Sequence, residues 1–580
     1  MSYFGRIPLG RGLLFGIAGV GLGGIGISIA GLGFGPIQPG SGSGILSGKG
    51  DSYLTFKSFQ ASLRHLNTIK TVASIVFHYK TLSNPAEINS IHKKSAKKLL
   101  ELFKQNGGVY IKIGQHISSL TYLLPVEYTE TMIELQDHCP QSTKESIKRV
   151  FYQEMGRDLQ DCFSWIDLDS PIGCASLAQV HVGEYLTRSG EYKKCALKIQ
   201  HDYLDIHAPV DIATCSWIGK MVKKYVPEFE FDWLVDEMAI NLPLELDFRI
   251  EQGNADRCRE LFDGFKGFKV PCVYDATRRV LVMEYCEGVK VTNQEYLKKH
   301  GLDPKQVSTR IGRVFSEMIF KHQFLHCDPH AGNILVHATP QRRRNSSWID
   351  YVVGLFQFNT ASSFEIVLLD HGLYRRLDKE FVNDYARFWI SILNSDEKGI
   401  EKYCYRMFLH PERQNSFGNI HYHRLFASMI SGRSWDTLSL SSNTISTTLQ
   451  DTTPSKWKLV PGIANPRSVN ERMVVQRKAG TTPFLSAIAL ILQKCRRELL
   501  LVMKTNDLVR GIYSSIGAGS DRVCLVSLAS DLGWSCLDYV WRNEMLCDSD
   551  TEWYYEVGMY GLLSLKLLVL DTIIRMSLLK

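Results

Sequence analysis

His326-Cys327-Asp328-Pro329-His330-Ala331-Gly332-Asn333, followed later by the apolar run Ile366-Val367-Leu368-Leu369 and then Asp370-His371-Gly372, is the stretch on which the reading of this chain turns. An acid and an amide five positions apart, trailed by a second acid at the end of a strand-like run, can bracket a metal-bound triphosphate. One acid orients the attacking oxygen, while the amide and the other acid hold Mg2+. Two other readings fit the fragment alone: an ordinary polar loop, or a metal site, since His322, His326, Cys327, Asp328 and His330 are all ligand types. The upstream sequence decides between them.

Upstream, residues 171–200 have the pattern of a nucleotide-binding hairpin. Pro171-Ile172-Gly173-Cys174-Ala175-Ser176-Leu177 is a small-residue turn that leads into an alternating strand, and Lys194-Cys195-Ala196-Leu197-Lys198-Ile199-Gln200 is a second strand with a lysine among apolar neighbours. Small residues such as Ala175 and Ser176 let backbone N–H groups approach phosphates, and a lysine on the adjacent strand can neutralise them. Such a lysine needs an acid to hold it. Glu251 is the candidate, in a stretch read as one helix from Leu244 to Glu251 that also carries Glu245 and Asp247. Arg279 to Gly288 is an apolar strand ending in a mixed segment with Glu284 and Cys286.

The 580 residues are too many for one compact core, so two or more lobes are expected. Hydrophobic content of 44% and charged content of 22% are those of a globular protein, and a net charge of +7 is mild for this size. No basic patch interleaved with aromatics points to nucleic acid; attraction to anionic lipid or phosphate is the milder expectation. Fourteen cysteines without a C-x-x-C pair suit buried thiols in a reducing compartment better than a zinc module or a disulfide scaffold.

The first 50 residues hold Arg6, Arg11 and Lys49 but no acid, and nothing between Gly12 and Gly35 is charged. This suits a mitochondrial leader with an inner-membrane anchor, its helix propensity lowered by glycine, or a cleaved or disordered leader without one, followed by a Gly/Ser linker. From Ser90 apolar residues recur at helical spacing up to Gly107-Gly108, and Lys112 and Gln115 then share one face of an apolar segment. The tail from Leu562 is apolar but carries Lys566, Asp571 and Arg575, which suits a packed or membrane-surface helix more than a spanning one.

As an ordered set, these pieces resemble the UbiB-like, or aarF-domain-containing, atypical kinases over roughly residues 90 to 520, and most closely a mitochondrial member. Lys112-Ile113-Gly114-Gln115 matches the family's K-x-G-Q, Ala175 to His181 its alanine-rich loop, and Glu245-Leu246-Asp247 its E-x-D. The resemblance implies an α+β, two-lobed protein-kinase-like fold with an added helical extension covering the active site. It implies a helical extension over 51–165, an N-lobe over 166–288, a C-lobe over 289–520 with insertions near 337–364 and 452–482, and a helical tail over 521–580.

By the same resemblance, Lys198 contacts the phosphates and pairs with Glu251, Asp328 fills the catalytic-base position, and Asn333 and Asp370 bind Mg2+. Glu284 and Cys286 lie where the chain crosses between lobes beside the adenine. Lys112, Gln115, Glu245 and Asp247 form a regulatory canopy where a protein substrate would otherwise sit. That arrangement suits ATP hydrolysis, or phosphotransfer to a small molecule or lipid, better than protein phosphorylation, in mitochondrial lipid and quinone homeostasis. The alternatives are a pseudokinase scaffold that binds nucleotide and partners at the inner membrane, and, more remotely, a metal-dependent hydrolase using His326, Cys327 and His330. Three departures stand out: Gly173-Cys174 begins the phosphate loop, His371 replaces the usual phenylalanine, and the extra residues between Val336 and Glu365 must loop out if Asn333 and Asp370 are to meet one metal.

Overall fold

The computed structural model describes residues 50–82, 84, 87–119, 124–136, 141–225, 232–339, 364–408, 422–431, 495–516 and 536. The leader, the interior of the 337–364 insertion, the 452–482 stretch and the tail from Leu562 therefore lie outside the described residues. Among the described residues no helix is long and apolar enough to cross a membrane.

The chain begins with a helical layer: α1 (Gly50–Lys80), α2 (Ile88–Asn106), α3 (Gly108–Ser119), α4 (Val126–Met132) and α5 (Lys144–Met155). The reversal between α2 and α3 is made by Gly107 and Gly108, both with positive φ (65° and 49°), a backbone conformation glycine adopts without steric cost. Gly114 lets α3 approach closely, because an added Cβ there would meet Leu135 and Phe103 side-chain atoms at 2.2 and 3.0 Å.

A sheet follows, formed by β1 (Phe163–Ile166), β2 (Gly173–Cys174), β3 (Ala178–Leu186) and β4 (Tyr192–Gln200), then completed after an interval by later strands. β3 and β4 pair antiparallel in unbroken register, with Val180 opposite Lys198. The period-2 alternation of β4 sorts its side chains. Cys195, Leu197 and Ile199 are buried against Ile147, Val150 and Phe151 of α5. Ala196 and Lys198 take the other face, where Ala196 packs with Phe248.

Next come α6 (Leu204–Tyr225), α7 (Asp232–Glu245) and α8 (Phe248–Leu261). The single helix expected from Leu244 to Glu251 is in fact two. Pro243 sits near the end of α7, and Asp247 starts α8 as its N-cap, accepting from Arg249 N at 3.1 Å. The Phe248 amide bonds Arg278 O at 3.0 Å instead of continuing α7.

β5 (Phe268–Lys269), β6 (Val273–Ala276), β7 (Val280–Glu284) and β8 (Val289–Lys290) come next, and the main sheet runs β1-β3-β4-β7-β6 with β2 on β3. The remainder is mostly helical: α9 (Pro304–Ser316), β9 (Phe324–His326), β10 (Ile334–Ala338), β11 (Phe364–Leu368), β12 (Tyr374–Arg376), α10 (Lys379–Asn394), α11 (Glu397–Arg406), α12 (Tyr422–Ser431) and α13 (Arg497–Ser515). One large core joins α9 through α13, centred on Phe320, Phe381, Tyr385 and Phe388. β10 and β11 pair from Ile334↔Leu368 to Ala338↔Phe364, so the insertion leaves from the far end of a hairpin while Asn333 and Asp370 stay side by side at the near end. The architecture is the expected α+β one, a sheet lobe and a helical lobe with a helical layer laid over the junction.

Candidate active site

Lys198 on β4 lies between two acids. Its Nζ donates to both oxygens of Glu251 at 2.7 and 2.9 Å and to Asp370 Oδ2 at 3.3 Å. Glu251 sits in the first turn of α8 and is 3% exposed. Burial pushes its carboxyl up to about 7, a rise that Lys198 opposes and Asp370 reinforces. Asp370 is 38% exposed on its side chain. Partial burial works against its charge, but Lys198, Lys112 and the Gly372 amide hold it below the usual carboxylate range. One lysine against two carboxylates leaves this cluster no positive charge to spare, and net negative charge wherever Glu251 is ionised, which suits a divalent cation.

The loop of residues 326–333 is fixed from within. His326 Nε2 donates to Asp370 O at 2.7 Å, so its Nδ1 is the acceptor for the Asp328 amide at 3.2 Å. His330 Nδ1 accepts from Gly332 N at 3.1 Å, and the buried Cys327 thiol bonds Leu325 O at 3.4 Å. His326 and Cys327 are thus engaged in holding the loop, and among the described residues no three His, Cys, Asp or Glu side chains are grouped to hold a metal ion, which counts against the metal-hydrolase reading. Asn333 donates its Nδ2 to Asp328 O at 3.3 Å, which leaves the amide oxygen as the end for a cation. Asn333 and Asp370 are a donor pair Mg2+ accepts, since it takes one or two protein oxygens and draws the rest from phosphates and water.

His371, where a phenylalanine was the usual residue, is buried. Its Nδ1 pairs with the Tyr374 hydroxyl at 2.9 Å and its Nε2 donates to Leu368 O at 3.0 Å, with the two rings stacked. Burial lowers its imidazole to about 3, so it is neutral.

A second cluster lies under α3. Lys112 Nζ reaches Glu245 Oε2 at 2.8 Å and Asp328 Oδ2 at 3.3 Å. Lys504 of α13 takes the other Asp328 oxygen at 3.1 Å and lies 3.1 Å from His116 Nδ1. Burial disfavours the Lys112 ammonium, yet Glu245, Asp328 and Asp370 hold it above the usual lysine range. His116 is lowered by burial and by Lys504, so its neutral ring can accept from that ammonium. Burial disfavours the Asp328 carboxylate as well, but Lys504 and Lys112 override it and hold the group well below its ordinary value.

Gln115 fastens the same helix to the phosphate loop. It accepts from Ser176 Oγ at 3.5 Å and donates to Leu135 O at 3.0 Å. The turn itself closes through Ala175 N to Ala178 O at 2.8 Å, and His201 donates to Ala175 O at 3.1 Å. Asp247, by contrast, caps α8 and pairs with Arg249. At the end of β7 the Glu284 carboxylate is taken by Lys269 at 2.6 Å and the Cys272 amide at 3.2 Å, and Cys286 is buried. Any contact from this segment to a base therefore falls to its backbone. Lys504 and His116 were assigned no role from sequence. The available signal was a lone lysine within the apolar run Leu499 to Met503 and Thr505.

A lysine held by a helix acid, with Asp328, Asn333 and Asp370 brought together beside it where the sheet lobe meets the helical lobe, is the arrangement of a protein-kinase-like protein. Residues 134–404 match the ABC1 atypical kinase-like domain. The chain is 35% identical to AarF domain-containing protein kinase 1 of Gallus gallus, over 77% of this chain and 78% of that one. It is 37% identical to AarF domain-containing kinase 1 of Drosophila melanogaster, covering 74% and 73%, and 33% identical to the ABC1 family protein MCP2 of Saccharomyces cerevisiae, covering 78% and 76%. The chain belongs to the ABC1/AarF family of atypical kinase-like proteins.

Proposed function

We propose that this protein binds Mg-ATP between its lobes and hydrolyses it, or passes the γ-phosphate to a small-molecule or lipid acceptor, and that it is not a conventional protein kinase. The observation that carries the reading is Lys198, bonded at once to Glu251 and Asp370 across the two lobes. In this reading Lys198 neutralises the phosphates and Glu251 keeps it aimed. Asp370 and Asn333 hold Mg2+, and the turn at Ala175 and Ser176 meets the phosphates, with the Ser176 amide as the donor because the Ala175 amide is bonded to Ala178 O. Glu284 and Cys286 offer main-chain groups to the adenine. Asp328 is the base-position acid, and Lys112, Gln115 and Glu245 govern access to it. Mg2+ supplies charge neutralisation when bound.

The cellular setting in this reading is a mitochondrion, at the inner membrane, which the acid-free, arginine-bearing residues 1–50 support; a part in lipid or quinone homeostasis is what the likeness to the family implies. The test is ATP hydrolysis by the full chain with Mg2+, beside Lys198→Ala. Equal turnover in the two forms removes the mechanism. A second reading, a nucleotide-binding scaffold without turnover, draws on the two ammonium groups that occupy both oxygens of Asp328. Rescue of a deletion strain by Asp328→Asn favours the scaffold.

A further inference from the structure

The loop that carries Asp328 brings no cation of its own to that carboxylate. Pro329, His330, Ala331 and Gly332 separate Asp328 from Asn333, and burial lowers the His330 imidazole, so its ring is neutral. Lys198 is engaged by Glu251 and Asp370. A phosphoryl group in transfer nevertheless gathers negative charge on its three outer oxygens, and sites that move it set a fixed cation against them.

Among the described residues two ammonium groups lie within ion-pair distance of Asp328, those of Lys112 and Lys504. They differ in what else they touch. Lys112 stands on α3 and lies closer to Glu245, at 2.8 Å, than to Asp328, at 3.3 Å. Lys504 pairs with no other acid among the described residues, and its second neighbour is the neutral ring of His116 at 3.1 Å.

Lys504 also belongs to the helical lobe rather than to the layer laid over it. It sits within α13, and Met503 and Thr505 on either side of it are buried. Thr505 Oγ1 donates to His326 O at 3.4 Å, and Asn506 Nδ2 donates to the Tyr385 hydroxyl at 3.0 Å. Three successive residues of α13 are thus fastened to the 326–333 loop and to α10. The Lys504 side chain is 8% exposed, and an ammonium buried in an apolar stretch is costly where packing alone would be served by methionine or leucine. A nucleophile held about 3 Å from Asp328 and about 3–3.5 Å from the γ-phosphorus brings an outer γ-oxygen within a side-chain adjustment of an ammonium near the same carboxylate. Lys504 Nζ is 3.1 Å from Asp328 Oδ1.

We propose that Lys504 is a catalytic residue, the fixed cation that meets the γ-phosphoryl group as it leaves ADP. The inference rests on the nucleotide reading. In hydrolysis the γ-phosphorus bonds the water oxygen, and its bond to the β–γ bridging oxygen breaks, the electron pair departing with ADP. One water proton passes to Asp328 and on to solvent, and the other stays on the product phosphate. Lys504 transfers no proton; it balances the charge that the outer oxygens gain.

The test uses the full-length protein with Mg2+ and two readouts. Lys504→Met and Lys504→Gln, each checked for wild-type melting, lower kcat for ATP hydrolysis about 100- to 1000-fold, with KM within about threefold of wild type. Calorimetry then compares ADP alone with ADP plus aluminium fluoride, a planar stand-in for the group in transfer. Both variants bind ADP as the wild type does and lose at least about a hundredfold on the fluoride complex. Lys504→Arg, which keeps the charge, recovers at least about tenfold of each loss. A lysine that only orients Asp328 has nothing left to hold in an Asp328→Asn background, yet there Lys504→Met still weakens the fluoride complex at least about tenfold. No further weakening in that background, or wild-type affinity for the fluoride complex in the single variants, overturns the proposal and leaves the nucleotide reading standing. A wild-type protein that neither hydrolyses ATP nor binds ADP more tightly with aluminium fluoride removes the nucleotide reading, and this inference with it.

Discussion

The two lysine–carboxylate clusters differ in their charge balance. Around Lys198, one ammonium faces Glu251 and Asp370, and the Asp370 side chain is 38% exposed. Around Lys112, two ammoniums, its own and that of Lys504, face Glu245 and Asp328, and all four side chains are at most 18% exposed. The first cluster is short of positive charge and is suited to gain a cation. The second is neutral within itself and acts as a latch. Desolvated ion pairs are costly to break from one side, because the surviving charge stays buried.

The largest effect is therefore expected in the latch. Lys112→Met strands Glu245 beside neutral His116 and costs about 3–5 kcal/mol in urea unfolding. Adding Glu245→Gln to that variant recovers more than half of the loss. A cost of the single variant below about 1 kcal/mol would place these groups among solvent-screened pairs and end the contrast. In the open cluster, Asp370→Asn weakens Mg-ATP about 100- to 1000-fold by calorimetry, because both a cation ligand and the second acid on Lys198 lose their charge. Unchanged affinity would mean that Asp370 holds no metal.

His371 sharpens the contrast by pH. Its folded value of about 3 lies below the 6.5 of an unperturbed histidine, so the neutral ring stabilises the fold above pH 6.5. That contribution is lost as pH falls from 6.5 toward 3, and the melting temperature drops across the same window. His371→Phe flattens part of the drop while lowering stability at pH 7 by about 1–3 kcal/mol, since two buried hydrogen bonds disappear. A drop as steep in the variant as in the wild type assigns it to other groups. The smallest effect belongs to Asp247→Ala, which removes a helix cap for about 1 kcal/mol and leaves nucleotide affinity alone. A tenfold change in affinity would return Asp247 to the canopy.

Much of the open cluster was legible because its residues sit in local patterns. Lys198 is flanked by alternating apolar residues on a hairpin with small residues at its start, Asp328 and Asn333 stand five positions apart, and Asp370 directly follows an apolar strand-like run. The latch was less legible because it is assembled over long distances. Lys504 reaches Asp328 from 176 positions away, and no local pattern announces that meeting. The break between α7 and α8 was missed because Leu244 to Glu251 was read as one helix, although Glu245 and Glu251, six positions apart, do not share a helical face. Its own signal, an aspartate before Phe248 and four residues after Pro243, was present in the sequence.

The pairing of Ala338 with Phe364 has a practical corollary. The two strands finish level with one another, so whatever joins them hangs from a closed rung, and changing its length alters closure entropy by little more than about 0.6 kcal/mol per doubling. That junction is a natural splice point: an affinity handle or a reporter domain grafted there would ride on the protein while Asn333 and Asp370, at the opposite end of the same two strands, stay where they are.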